Sequence, residues 1–242
     1  MFNQSFFSLA LIPIISFGGV SSEIVTPSSQ NRQVIAQQLT TSAPSFWQRH
    51  PRRKPNISRS LTSQVCAIAP GLIEADEVWS DRPLFLWQSE GKNKDLQLTL
   101  RDYDTQEEVW TQKVNITDQK VSYSGKEPLK PGKRYQWQLS GSKTWATFEI
   151  MPVEQRNQIQ LDLQAIEQKL KANKASLEEI ALKKADYFIN YEIKNESGIV
   201  HLWSDALQVL YTVEKPSSSF VEKREAYITN LCTDSTTTNS QK

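Results

Sequence analysis

The sequence predicts an α+β chain, an antiparallel β-sandwich followed by a C-terminal bundle of about four helices. Between Val65 and Ile150, apolar residues alternate with polar ones in short runs broken by turn residues, the period of half-buried strands. After Pro152 the period lengthens to that of a helix, and two Ser-x-x-Glu capping boxes stand ahead of the later helical stretches. The strand runs follow one another too closely for helices between them, which implies an antiparallel sandwich or barrel.

The first 22 residues stand apart. Phe6 to Val20 is apolar apart from two serines and two glycines, and Gly19-Val20-Ser21-Ser22 supplies small residues before Glu23. That is the layout of a cleaved export signal, with cleavage after Ser21 or Ser22, although no Lys or Arg precedes the apolar run. The run falls short of the ~20 apolar residues of a membrane span, and Pro13 would kink it, so no stable span is expected after processing. The expected location is the periplasm or the extracellular space.

Residues 23–64 are rich in Gln, Ser, Thr and Pro and carry the basic run Arg49-His50-Pro51-Arg52-Arg53-Lys54. With no periodic apolar pattern they read as a disordered basic linker. The β-domain then spans 65–151, the helical region 152–232, and residues 233–242 form a polar tail.

Within the β-domain, Leu84 to Trp87 is a short apolar run and Leu96, Leu98 and Leu100 alternate with polar neighbours. Val109, Trp110 and Val114 mark the next strand, followed by Tyr135-Gln136-Trp137-Gln138-Leu139 and Ala146-Thr147-Phe148-Glu149-Ile150. Ahead of Tyr135 stands Leu129-Lys130-Pro131-Gly132. Pro131 fixes φ, Gly132 relaxes the turn, and a Tyr three residues later can keep its ring in the core while its hydroxyl reaches backbone. This spacing resembles the tyrosine corner of immunoglobulin and fibronectin type III domains. The resemblance implies structural roles for Leu129, Pro131, Gly132, Tyr135 and Trp137, with Trp87 facing Trp137 across the core.

In the helical region Ile159, Leu163, Ile166 and Leu170 make one apolar stripe on a helix of roughly 20 residues. Ser176 and Glu179 form a capping box for a second helix that can bury Ile180, Ala181, Ala185, Phe188 and Tyr191. A third runs from Trp203 to Val213 before Pro216, and Ser219 with Glu222 caps a fourth that ends at Cys232. Trp203-Ser204-Asp205-Ala206-Leu207-Gln208-Val209-Leu210 resembles the second helix of a tetratricopeptide repeat. Together with Trp79-Ser80-Asp81-Arg82-Pro83 and Pro128 to Trp137, it also resembles an uncharacterised family of exported cyanobacterial proteins of unknown function. In that family a signal and a basic linker precede a β-domain and a terminal Trp-x-Asp-Ala-Leu helix. The family places its second Cys just after the Tyr-x-Trp strand, where this chain has Ser140-Gly141.

Cys66 and Cys232 lie at the two ends of the folded region. In an oxidising compartment they would either bridge or stay as two buried thiols. A bridge would constrain the unfolded chain by roughly 5 kcal/mol in the chain-entropy account.

Charge excludes some partners. Lys plus Arg number 28 against 27 for Asp plus Glu, so no overall field attracts nucleic acid. The chain carries only two histidines, His50 in the linker and His201 at a helix start, and lacks phosphate-loop, zinc-helix, serine-elbow or Cys-x-x-Cys motifs. No cofactor or metal is expected; Asp102 to Glu108 reads as an acidic turn. The leading expectation is a non-catalytic extracytoplasmic module that binds an unknown protein partner. The first alternative is a carbohydrate-binding module that stacks polysaccharide on Trp79, Trp110 and Trp145. The second is a hydrolase using two of Glu74, Asp76, Asp81 and Glu90.

Overall fold

The computed structural model describes residues 45–51, 65–71, 77–89, 94–142, 144–195 and 198–233. The signal, most of the linker, the polar tail beyond 233, and the acids Glu74, Asp76 and Glu90 lie outside the described residues.

The chain is α+β, with antiparallel-rich sheets and four α-helices among the described residues. Its strands are β1 (Val65–Ala69), β2 (Glu77–Val78), β3 (Leu84–Ser89), β4 (Asp95–Asp102), β5 (Glu108–Asn115), β6 (Lys120–Ser122), β7 (Arg134–Leu139) and β8 (Ala146–Ile150). One sheet has the order β1-β3-β6, and the other the order β2-β8-β7-β4-β5. Every pairing in these two sheets is antiparallel except that of β2 with β8.

Alternation along the strands decides what each face meets. Leu96, Leu98 and Leu100 of β4 and Tyr135, Trp137 and Leu139 of β7 point the same way and are buried. They share a core with Phe85 and Trp87 from the first sheet, the Phe85 ring lying 5.2 Å from Trp137 and 6.3 Å from Phe148. The alternate residues of β3, Leu84 and Leu86, enter a second core with Phe188, Trp203, Leu207 and Leu210 from the helices. That is why Leu84 to Trp87 reads as a continuous apolar run: the strand is covered on both faces.

The helices are α1 (Val153–Ala172), α2 (Leu177–Asn190), α3 (Trp203–Leu210) and α4 (Ser218–Thr233). In α1 only Ile159 and Leu163 of the expected stripe are buried. The capping box of α2 forms as its sequence suggests, with Glu179 N–H donating to Ser176 Oγ and Ser176 N–H to Glu179 Oε2. In α4 the cap falls two residues earlier than Ser219. Phe220 N–H donates to Ser217 Oγ at 3.2 Å, and Phe220 and Tyr227 are buried together with Ile228 and Leu231. A hairpin not expected from periodicity, β9 (Ile193–Asn195) with β10 (Gly198–Val200), joins α2 to α3. Helix α1 packs on α2, α2 on α3, and α4 lies against β1 and β3.

The linker reading meets one exception. Ser45, Phe46, Trp47 and Gln48 form a short 3-10 turn, and Phe46 is buried in the helical core, because this aromatic pair finds aromatic partners on the helices.

Candidate functional site

The polar side chains that are most deeply engaged lie where the helices meet the β-domain. The loop after β2 starts with Trp79 and Ser80, whose two amide N–H groups have no strand partner. Asp205, in the first turn of α3, accepts from both: Trp79 N–H to Oδ2 at 2.8 Å and Ser80 N–H to Oδ1 at 2.9 Å. One turn further along the helix, Gln208 donates to Ser80 Oγ and to the Arg82 carbonyl, both at 3.2 Å, and accepts from Leu84 N–H at 3.0 Å. Arg156 of α1 closes the third side. It donates to the Trp79 carbonyl at 2.8 Å and pairs with Asp81 at 2.7 Å, while the Trp79 indole N–H donates to the Arg156 carbonyl at 3.1 Å. The two tryptophan-containing motifs, Trp79 to Pro83 and Trp203 to Leu207, are therefore bonded to each other.

Asp205 is 2% exposed. Burial pushes its carboxyl up to about 7, opposed by the Trp79 and Ser80 amides and by the Arg156 guanidinium. A carboxyl so enclosed, with both oxygens taken by backbone amides, acts as a structural acceptor. Asp81, one of the acids proposed for hydrolysis, is held in the ion pair with Arg156.

The corner ahead of β7 is knit to the same loop. The Tyr135 ring is buried and its hydroxyl accepts from Lys130 N–H at 3.0 Å. Burial raises that hydroxyl above its usual range, against the Lys130 amide. Leu129 is buried and donates its N–H to the Asp81 carbonyl at 3.0 Å. Pro131 precedes Gly132, which takes φ +70° and donates to the Ile150 carbonyl at 2.7 Å. Trp137 is buried and its indole donates to the Pro70 carbonyl at 2.8 Å.

The three tryptophans considered for stacking are all half-buried and do not come together. Trp79 packs on Phe188 of α2 at 5.6 Å between centroids. Trp110 stacks on Phe85 at 5.8 Å and meets Tyr123 edge-on at 5.3 Å. Trp145 lies on the outer face of the larger sheet, with the Arg101 guanidinium 3.7 Å from its ring centroid.

Cys66 of β1 and Cys232 of α4 are joined by a disulfide, with a Cα separation of 6.2 Å. Among the described residues no group of three or more His, Cys, Asp or Glu is placed to hold a metal, and no helix is long and apolar enough to cross a membrane. The acidic turn closes on itself, with Asp102 Oδ1 accepting from Asp104 N–H at 2.9 Å and Thr105 N–H at 3.0 Å. His201 gives its carbonyl to Trp203 N–H at 2.9 Å.

Asp205, Gln208 and Arg156 carry no role in the sequence reading. The available signal is the placement of Asp205 between Trp203 and Ala206-Leu207, an acid inside an apolar helix.

No protein-family model matches the chain, and comparisons with curated proteins and with solved structures return no match.

Proposed function

We propose that the chain is a non-catalytic extracytoplasmic module for protein interaction or scaffolding, related to the exported cyanobacterial family that its motifs resemble. In this reading an immunoglobulin or fibronectin-III-like sandwich carries a C-terminal helical bundle, and the two move as one body.

The observation that carries the reading is the joint built on Asp205. Its carboxylate, the Asp81 to Arg156 pair and Gln208 are all engaged in fixing helices to the β-domain. Such a joint makes a rigid composite surface rather than a reactive cleft. The sandwich reading is supported by the strand order, β1-β3-β6 opposite β2-β8-β7-β4-β5, and by the Tyr135 bond to Lys130 N–H. An oxidising location is supported by the disulfide. Carbohydrate binding is a second reading with one favourable observation, Trp145 stacked with Arg101 beside Gln136 on an outer sheet face.

Purification of the tagged chain from the envelope of its host tests the reading. The expected result is a mature N-terminus after Ser21 or Ser22 and one protein enriched well above an untagged control. Retention of Met1, or recovery of the chain alone with soluble oligosaccharide bound to it, would overturn it.

A further inference from the structure

Residues 45–50 sit on the helices as a ligand sits on a receptor. We propose that α2, α3 and α4 form a recognition groove for a short Phe-Trp turn followed by arginine, and that the chain fills this groove with its own segment. The proposal rests on the interaction-module reading and names the surface and the partner chemistry it uses.

The segment is self-contained. Gln48 N–H donates to the Ser45 carbonyl at 2.9 Å, Arg49 N–H to the Phe46 carbonyl at 3.0 Å, and Ser45 N–H to Gln48 Oε1 at 3.0 Å. Three of its backbone N–H groups are thus paired within the turn, as in a partly pre-organised peptide ligand. The segment belongs to none of the three sheets.

What holds it is a cluster of aromatic contacts with polar bonds at the edge, the anatomy of an interface centre and rim. Phe46 is 2% exposed and lies 5.2 Å from Tyr227 of α4 and 6.1 Å from Trp203 of α3. Trp47 meets Phe220 at 5.7 Å and Tyr227 at 5.8 Å, both edge-on. Arg49 donates to Asn190 Oδ1 of α2 at 2.7 Å, and the Tyr227 hydroxyl donates to the Arg49 carbonyl at 2.7 Å. The groove therefore reads two aromatic side chains, one main-chain carbonyl and one guanidinium. A free segment of the same chemistry competes with a tethered copy, which has the advantage of high effective concentration.

The test uses the full chain with Phe46→Ala and Trp47→Ala, and a fluorescein-labelled synthetic peptide of residues 45–51 followed by fluorescence anisotropy. The vacated variant should bind the peptide saturably and at least about tenfold more tightly than the unaltered chain, whose own segment competes. Adding Tyr227→Phe to the variant should weaken binding several-fold by deleting the donor to the Arg49 carbonyl. If the vacated variant does not fold alone, excess peptide should restore its thermal transition. A folded variant that ignores the peptide, equal binding to both chains, or an unfolded variant that excess peptide does not restore would each overturn the groove. A partner captured from the host by the unaltered chain while the peptide fails would sink the groove and leave the module reading standing.

Discussion

Asp205 on α3 and Trp79 in the loop after β2 are 126 positions apart in the chain, yet the carboxylate of one accepts the backbone N–H of the other at 2.8 Å. This bond and its twin to Ser80 tie the helices to the β-domain through a buried carboxyl, which fixes how the joint responds to substitution and to pH.

Asp205→Ala leaves the half-buried amides of Trp79 and Ser80 without their acceptor, each costing at most about 1–3 kcal/mol. The sign of the pH effect follows from the folded value of about 7 against about 3.9 in the unfolded chain. The folded state holds the proton more tightly between these values, so stability falls as pH rises from about 4 through 7 and then levels. Urea titrations at pH 5 and pH 8 should therefore find a larger loss for Asp205→Ala at pH 5, with a flatter pH profile than the unaltered chain. An identical profile in both would show that another group titrates. Glu167 acts oppositely at lower pH. Hydrogen bonds from Lys171 and Lys184 hold it down to about 2, and its contribution is lost as pH falls from about 4.5 toward that value.

Tyr135→Phe keeps the buried ring and removes the acceptor of Lys130 N–H, so it should cost about 1–3 kcal/mol. Trp137→Ala empties the space between the sheets and leaves the Pro70 carbonyl unpaired, so it should cost more, about 3–5 kcal/mol. Denaturant midpoints check both. An unchanged midpoint in Tyr135→Phe would remove the corner from the stabilising contacts.

The corner was legible in the sequence because Pro131, Gly132 and Tyr135 each have one conformational job at a fixed spacing. The direction of its bond was not, since a hydroxyl donates or accepts equally well, and a backbone donor turned out to be the partner. The helices after Pro152 announced themselves by period, but Ser217, Ser218 and Ser219 offer the same capping chemistry. The start of α4 was decided by Pro216 before it and by burial of Phe220 and Tyr227 after it. The three-residue strands β9 and β10 are too short to display a period. Asp205 drew no role of its own, and Phe46 with Trp47 read as part of a polar linker, because neither has its partners nearby in sequence.

Replacing both cysteines with serine, or reducing the bridge, should lower the thermal midpoint. The chain-entropy account gives about 5 kcal/mol for so long a loop, and typical measured values of about 2–4 kcal/mol set the expectation. Free-thiol labelling of the purified chain before and after reduction checks the starting state. Labelling of two thiols without reductant would rule the bridge out.

The same disulfide has a topological consequence. Because Cys66 and Cys232 are 166 positions apart, the bond makes most of the folded chain a covalent ring. A protease that nicks any one exposed loop within the ring opens it without releasing a fragment, and the product keeps its full mass until a reductant separates the halves. Survival of a first cut is thus built into the chain's connectivity rather than into the strength of any single contact.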